Sequence, residues 1–317
     1  MFATSPRLVA DIGGTNTRIA LFDPQANEFR ALRQYINRQF SCLEDIIADW
    51  LQQLSEPAPR VCCIAVAAAP SADHVAMTNM DWSFSCKALA SRFGFDHLRR
   101  LNDFEANAYA LPYLTEGDCE RLFCSETRPS GRLATLGPGT GLGGAFLDWQ
   151  LDLPRSFACE PGHMGLTPAT ELELEIFRLL LSQHSNIYAE LLVSGPGLVR
   201  LRQTLAEVRG EAAATLSAAE ISRMAVSKED KLCVAALDTF CALLGSVCGD
   251  FLLATGCYGG LYLAGGIVPS IRAFLRDSSF RTRLKDKGAM VATLAEVPVY
   301  AITSSQPGLL GAARVPL

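Results

Sequence analysis

The stretch Leu8-Val-Ala-Asp-Ile-Gly-Gly-Thr-Asn-Thr-Arg-Ile-Ala-Leu-Phe22 decides how the rest of the chain is read. Leu8 to Ile12 and Thr17 to Phe22 have strand-like apolar content, and Gly13-Gly14-Thr15-Asn16 supplies the turn, so a β-hairpin is expected. The pattern returns in the second half as Leu133 to Leu136, then Gly137-Pro-Gly-Thr-Gly-Leu-Gly-Gly144, then Ala145 to Trp149. Glycine allows the backbone to turn at positive φ and lets several N–H groups face one anion. Two such turns could grip the phosphates of a single nucleotide from opposite walls, although either alone is equally an ordinary hairpin. Asp11 ends the first strand beside its turn, where a carboxylate can hold Mg²⁺ through water.

Two other phosphate motifs fit the sequence poorly. A P-loop needs Gly-Lys, and no such dipeptide occurs. Gly139-Thr-Gly141-Leu-Gly143-Gly144 matches the dinucleotide fingerprint GxGxxG in letters. That fingerprint must open a helix, whereas Ala145-Phe-Leu-Asp-Trp149 reads as a strand.

Outward from the first hairpin, Ser41 to Leu54 reads as an amphipathic helix with Ser41 and Glu44 as a capping box. Its apolar face is Leu43, Ile46, Ile47, Trp50 and Leu51. Val61 to Ala68 is a continuous apolar run, as in a strand buried on both faces. A loop through Asn79-Met-Asp-Trp82, a helix near Cys86–Phe93, a strand His97–Leu101 and a helix Ala106–Leu111 follow. Asp103, just past that strand, stands where ligands gather in α/β sheets and could act as a general base; it could equally cap the following helix. Further helices are expected at Glu171–Leu181, Ala218–Ala225 and Glu229–Leu253. Strands and helices alternate throughout, which argues for α/β architecture.

The length of 317 residues suggests two domains, and 49% hydrophobic residues can fill a core in each. A net charge of −5, with only five lysines among 28 basic residues, argues against nucleic acid as a partner. The uncharged run Phe251 to Ile271 is broken by Gly256, Gly259, Gly260, Gly265, Gly266 and Pro269. It reads as a short buried strand at Leu261–Ala264 and not as a membrane span, and a cytoplasmic location is expected. The eleven cysteines include no CxxC pair and mostly lie among apolar neighbours, so reduced structural thiols are expected. Glu160-Pro-Gly162-His163 and Glu190 could bind sugar hydroxyls, a carboxylate accepting from two of them. By themselves a lone histidine is more often a structural residue and a helix-start glutamate a solvated one.

Taken in order, these segments resemble the bacterial glucokinases of the hexokinase/actin-like ATPase superfamily. The resemblance rests on Ala10-Asp-Ile-Gly-Gly-Thr-Asn16, Leu101-Asn-Asp-Phe104, Gly137 to Gly144, Glu160-Pro-Gly-His163, Ser194-Gly-Pro-Gly-Leu198 after Glu190, and Leu263-Ala-Gly-Gly-Ile-Val-Pro269. Ala10 and Pro161 depart from the family pattern, beside the contacting atoms. The resemblance implies a two-domain actin-like (ribonuclease H-like) α/β fold around a deep cleft. Residues 1–112 with 304–317 would form the small domain and 113–303 the large one. It implies ATP-dependent phosphorylation of D-glucose at the 6-hydroxyl, feeding glycolysis, with Mg²⁺ as cofactor and a cytoplasmic homodimer as the working form. Asp103 would be the catalytic base. Asn102, Asp103, Glu160, His163 and Glu190 would hold the sugar. Ala10, Asp11, Ile12, Gly13, Gly14, Thr15, Gly139, Thr140, Gly141, Gly265 and Gly266 would bind ATP, with Asp11 near the metal.

Three rivals remain at this stage. Another hexose or an amino sugar (fructose, mannose, an N-acetyl sugar) would use the same residues. A sugar-sensing regulator would need an added DNA-binding domain, while the first strand begins by Leu8. An actin-type structural ATPase would lack the Glu160/His163 pair. No structural zinc is expected, since Cys159 stands alone beside the sugar segment.

Overall fold

The computed structural model describes residues 4–67, 73–77, 80–123, 131–150, 152–212 and 214–317. The expectations at Ala68, Asn79, Cys124 and part of the polar stretch after Leu111 lie outside them.

In the first part of the chain the elements are β1 (Arg7–Ile12), β2 (Asn16–Asp23), β3 (Glu28–Ile36), α1 (Leu43–Gln52), β4 (Val61–Val66), β5 (His74–Ala76), β6 (Ser83–Ser85), α2 (Cys86–Phe93), β7 (His97–Asn102) and α3 (Asp103–Ala110). Next come β8 (Cys119–Phe123), β9 (Leu133–Pro138), β10 (Leu142–Asp148), β11 (Arg155–Cys159), α4 (Glu171–Leu181), α5 (Ala189–Leu192), α6 (Gly195–Arg209), α7 (Ala218–Val226) and α8 (Lys231–Thr255). The chain ends with β12 (Gly260–Leu263), α9 (Val268–Asp277), α10 (Phe280–Lys285), α11 (Val291–Ala295), β13 (Val299–Ile302) and α12 (Pro307–Arg314).

The chain divides into two compact units: Met1–Leu114 with Leu151–Ala158 and Ser305–Leu317, and Thr115–Gln150 with Cys159–Ser304. Five strands form the first sheet, in the order β3-β2-β1-β4-β7. β1 and β2 are an antiparallel hairpin, while β1, β4 and β7 run parallel. Alternating register explains the content of β4: every residue from Val61 to Val66 is buried because β1 and β7 flank it and apolar side chains cover both faces. On one of those faces lie Leu43, Ile46, Ile47 and Trp50 of α1.

α1 does not begin as the capping-box reading expects. Its N-cap is Cys42, with no side-chain cap, so Ser41 lies one residue outside and Glu44 is not at the third helical position. α3 also starts earlier than expected, at Asp103, and it carries a true capping box. Asn102 accepts from the backbone N–H of Phe104 at 2.8 Å, and Glu105 accepts from the backbone N–H of Asn102 at 2.9 Å. The cap is therefore Asn102, which leaves Asp103 as the first helical residue.

The second sheet has the order β11-β10-β9-β12-β13-β8. Its first five strands repeat the plan of the other sheet. β9 and β10 form an antiparallel hairpin, and β9, β12 and β13 run parallel. The strands of this hairpin reach further than the glycines suggest. Gly143 pairs with Gly137 and Gly144 with Leu136, so the turn shrinks to Gly139, Thr140 and Gly141. Gly137 is needed in its strand because a Cβ there would stand 2.6 Å from the Ala264 carbonyl carbon of the neighbouring crossing. Since β10 follows the glycines and no helix does, the dinucleotide fingerprint is excluded.

α8, the core helix of this unit, is long and apolar enough to cross a membrane, yet 83% of its most apolar window is buried inside the fold. It ends at Gly256, whose φ of 66° gives a left-handed cap. The uncharged run continues as β12 and α9 instead of one long helix. Among the described residues ten cysteines are free, six of them buried. Burial pushes the Cys63 thiol up to about 11, which keeps it protonated and unreactive.

Candidate functional site

In the first unit, parallel register brings the functional segments to one edge of the sheet. Ile12 is level with Val66, and Val66 with Asn102. The first glycine turn and Asp103 thus leave the sheet at the same C-terminal edge, two strand spacings or about 10 Å apart. Ligands bind at this edge in α/β sheets.

The first turn is closed by the Gly13 N–H, which donates to the Asn16 carbonyl at 3.0 Å. Asn37 braces it from outside: its amide donates to the Gly13 carbonyl at 2.7 Å and its backbone N–H to the Thr15 carbonyl at 2.9 Å. The Asn37 side-chain oxygen accepts from the Thr17 hydroxyl at 2.8 Å. Asn37 is 1% exposed, so this fixed network is shielded from water. Sequence reasoning missed Asn37, because its only signal is a polar residue in a stretch that reads as neither helix nor core. Ala10 and Ile12 are 0% and 1% exposed, so they can offer a ligand only their backbone. Gly14 is half-buried and Thr15 is exposed.

Asp11 lies opposite Arg18 in the hairpin. Burial raises its carboxyl above the usual carboxylate range, opposed by the positive charge of Arg18. Its carboxylate packs on Gly308 of α12, where an added Cβ would lie 2.9 Å from Oδ1. Hard carboxylate oxygen beside a glycine turn suits Mg²⁺ held through water, and a cation there would offset the desolvation of the charge. Among the described residues no three His, Cys, Asp or Glu side chains gather to hold a metal by themselves. Such an ion would therefore need phosphate oxygens as well. A raised carboxyl costs the folded state stability as pH rises through the interval between the ordinary and raised values, and the cost persists at neutral pH. Asp11→Asn is expected to unfold at a temperature no lower than the parent at pH 7. Thermal melts check this; a destabilised Asn variant contradicts the burial argument.

Asp103 carries its carboxylate at the start of α3, where the helix dipole favours negative charge. One oxygen accepts from the backbone N–H of Phe104 at 3.0 Å. The Asn102 side-chain oxygen is used by the helix cap.

The second unit gathers the remaining candidates. Gly265 has φ of 86° and stands against the Pro138 carbonyl, a Cβ there falling 3.0 Å from the carbonyl carbon. The Ala264 N–H donates to the Leu136 carbonyl at 2.7 Å. The Gly139–Gly141 turn and the Gly265–Gly266 segment are therefore neighbours. Glu160 precedes a single 3-10 turn, Pro161–His163, that His163 ends, and both residues are exposed. The His163 ring lies 5.8 Å from that of Tyr188. Glu190, half-buried, accepts from the Leu142 N–H at 2.8 Å. Thus the unit brings together Gly139, Thr140, Gly141, Glu190 and the 160–163 turn.

A family model described as Glucokinase matches residues 8–316. A glucokinase of Saccharophagus degradans is 38% identical over 97% of this chain and 97% of its own length. One from Chromobacterium violaceum is 40% identical over 97% of this chain and 88% of its own. The crystal structure of a glucokinase from an Antarctic psychrotroph superposes with a TM-score of 0.89 at 36% identity, covering 98% of each chain. The chain belongs to the glucokinase family, and it is an enzyme of that activity.

Proposed function

We propose that the chain transfers the γ-phosphoryl group of ATP to the 6-hydroxyl of D-glucose, giving glucose 6-phosphate and ADP. Asp103 takes the hydroxyl proton as the oxygen attacks phosphorus, and the bond to the ADP oxygen breaks. Phosphoryl transfer leaves the protein little covalent work, so positioning and charge stabilisation carry the rate. The backbone N–H groups of Gly14, Thr15, Thr140 and Gly141 hold phosphates, while those of Gly13 and Gly139 close their own turns by donating to the Asn16 and Gly141 carbonyls, which suits a chain of net charge −5. Gly265 and Gly266 lie on the adenosine side. When bound through Asp11, Mg²⁺ neutralises charge on the phosphates. Asn102, Glu160, His163 and Glu190, with Asp103, hold the other hydroxyls.

The observation that carries this reading is the meeting of the glycine turn and the 160–163 turn within one unit: a Cβ at Gly162 would stand 2.6 Å from the Leu142 carbonyl oxygen. A phosphate segment and a polyol segment packed together suit a kinase that phosphorylates a sugar. A two-domain actin-like fold, with a small domain (1–112 with 304–317) that supplies Asp103 and a large one (113–303) that supplies the sugar turn, belongs to the same reading. A cytoplasmic homodimer is part of the same reading.

A coupled ADP-release assay over glucose, fructose, mannose and N-acetylglucosamine tests it, with glucose expected to give the highest kcat/KM. A higher value for any other sugar reassigns the substrate. Within the glucose reaction, Glu160→Ala or His163→Ala is expected to raise the glucose KM by about 5- to 150-fold, the scale of a lost polar contact of about 1–3 kcal/mol. An unchanged KM removes that residue from the sugar site.

A further inference from the structure

We propose that Glu190 is a positioning residue that ties the sugar side of the site to the second phosphate turn, in addition to any contact it makes with sugar. This rests on the functional reading above. The Oε2 atom of Glu190 accepts from the backbone N–H of Leu142, the first strand residue after the Gly139–Gly141 turn. The same carboxylate fills the space in front of Gly141: a Cβ there would overlap Oε2 and stand 3.1 Å from the carboxyl carbon. On its other side, a Cβ at Gly162 would lie 3.1 Å from Oε2 and 3.2 Å from the Glu190 Cβ. One carboxylate therefore packs against the glycine of the phosphate turn and the glycine of the sugar turn.

The main chain doubles the connection. The Glu190 carbonyl accepts from the Ser194 hydroxyl at 2.8 Å, and the Gly195 N–H donates to the Gly139 carbonyl at 2.8 Å. Residues 190–195 thus hold the turn at both ends. A charge-assisted bond to a backbone N–H is among the stronger ones. With Oε2 committed to Leu142, a sugar hydroxyl meets the remaining oxygen of a carboxylate whose position is set by the turn. Any shift of that carboxylate on sugar binding is passed to Leu142 and Gly141, and linkage makes the effect reciprocal.

Two alanine substitutions in the same turn separate this from a purely local role. Gly141→Ala drives a methyl into the Glu190 carboxylate, whereas a Cβ at Gly139 meets nothing within 4 Å. Glucose binding is measured by calorimetry without nucleotide. Gly141→Ala is expected to weaken it about tenfold and Gly139→Ala less than twofold, although both lie on the phosphate side. Equal glucose affinity for Gly141→Ala and the parent, or equal weakening by both variants, overturns the proposal. A parent chain that binds no glucose overturns the functional reading, and this inference with it.

If Gly141→Ala does not fold, Glu190→Gln and Glu190→Ala decide the question through their ATP KM. Glutamine keeps an acceptor for the Leu142 N–H, so it should hold the ATP KM within about twofold while glucose affinity falls. Alanine should raise the ATP KM about tenfold as well. An ATP KM unmoved by Glu190→Ala overturns the proposal.

Discussion

Asp103→Asn is expected to lower kcat by about 10²- to 10⁴-fold, the range for loss of a positioned general base, while glucose still binds. The substitution is nearly isosteric, and an amide cannot accept the hydroxyl proton as a carboxylate does. Its side effects on folding should be small. The capping box of α3 is made by Asn102 and Glu105, so changing the first helical residue leaves both cap bonds in place. Phe104 can still donate to an amide oxygen at position 103. ADP release gives kcat and calorimetry gives the glucose affinity. Near-normal turnover would assign the proton to another acceptor.

The second large effect is on stability. Gly311→Ala is expected to lower the unfolding free energy by about 3 kcal/mol, the upper part of the range for overpacking, and the thermal midpoint by about 5–10 °C. Helix propensity alone predicts the opposite sign, since alanine exceeds glycine by about 1 kcal/mol in a helix interior. Packing decides. A Cβ at Gly311 would overlap the Ala106 carbonyl oxygen and stand 3.0 Å from the Ala106 Cα, and these are backbone atoms of α3 that have no rotamer to escape into. Gly308, three residues earlier on the same face of α12, backs the Asp11 carboxylate. Displacing α12 therefore disturbs Asp11 and the helix that begins at Asp103 together, and turnover should fall with stability. A Gly311→Ala variant as stable as the parent would show that the two helices can part at little cost.

Both predictions depend on how far the local signals reach. The hairpin around Gly13, the buried strand from Val61 and the helices at Cys86–Phe93 and Glu171–Leu181 were legible because each is specified by residues within a turn or a strand of one another. β3 was not: it is an edge strand whose residues are mostly exposed, so it shows no apolar alternation. α6 was hidden by Gly195-Pro196-Gly197, which reads as loop. Pro196 is tolerated in the first turn, Ser194 caps the helix, and Gly197 is there because a Cβ would lie 2.5 Å from the Leu192 carbonyl carbon.

Among the candidate site residues, type and order were readable and use was not. Ser41 reads as a cap because Glu44 follows at capping-box spacing, while the backbone enters the helix one residue later, at Cys42. Asn102 and Asp103 are adjacent and equally good capping residues by chemistry; the direction of the chain leaving β7 gives the cap to Asn102. Asn37 and Glu190 hold the two glycine turns across 24 and 48 residues of sequence respectively, beyond any local pattern.

By itself, the amino-acid sequence determined the α/β alternation, the two glycine hairpins and the order of motifs that marks the glucokinase family, since these are properties of short segments. Only the tertiary structure decided which glycines turn the chain and which admit a neighbouring backbone. It also decided that Asn37 and Glu190 brace the turns and that α12 lies against β1 and α3. The reason is physical. A turn or a helix face is set by dihedral preferences and periodicity a few residues long. The space beside Gly137, Gly141 or Gly311 is set by atoms that sequence places far away and folding brings within van der Waals contact.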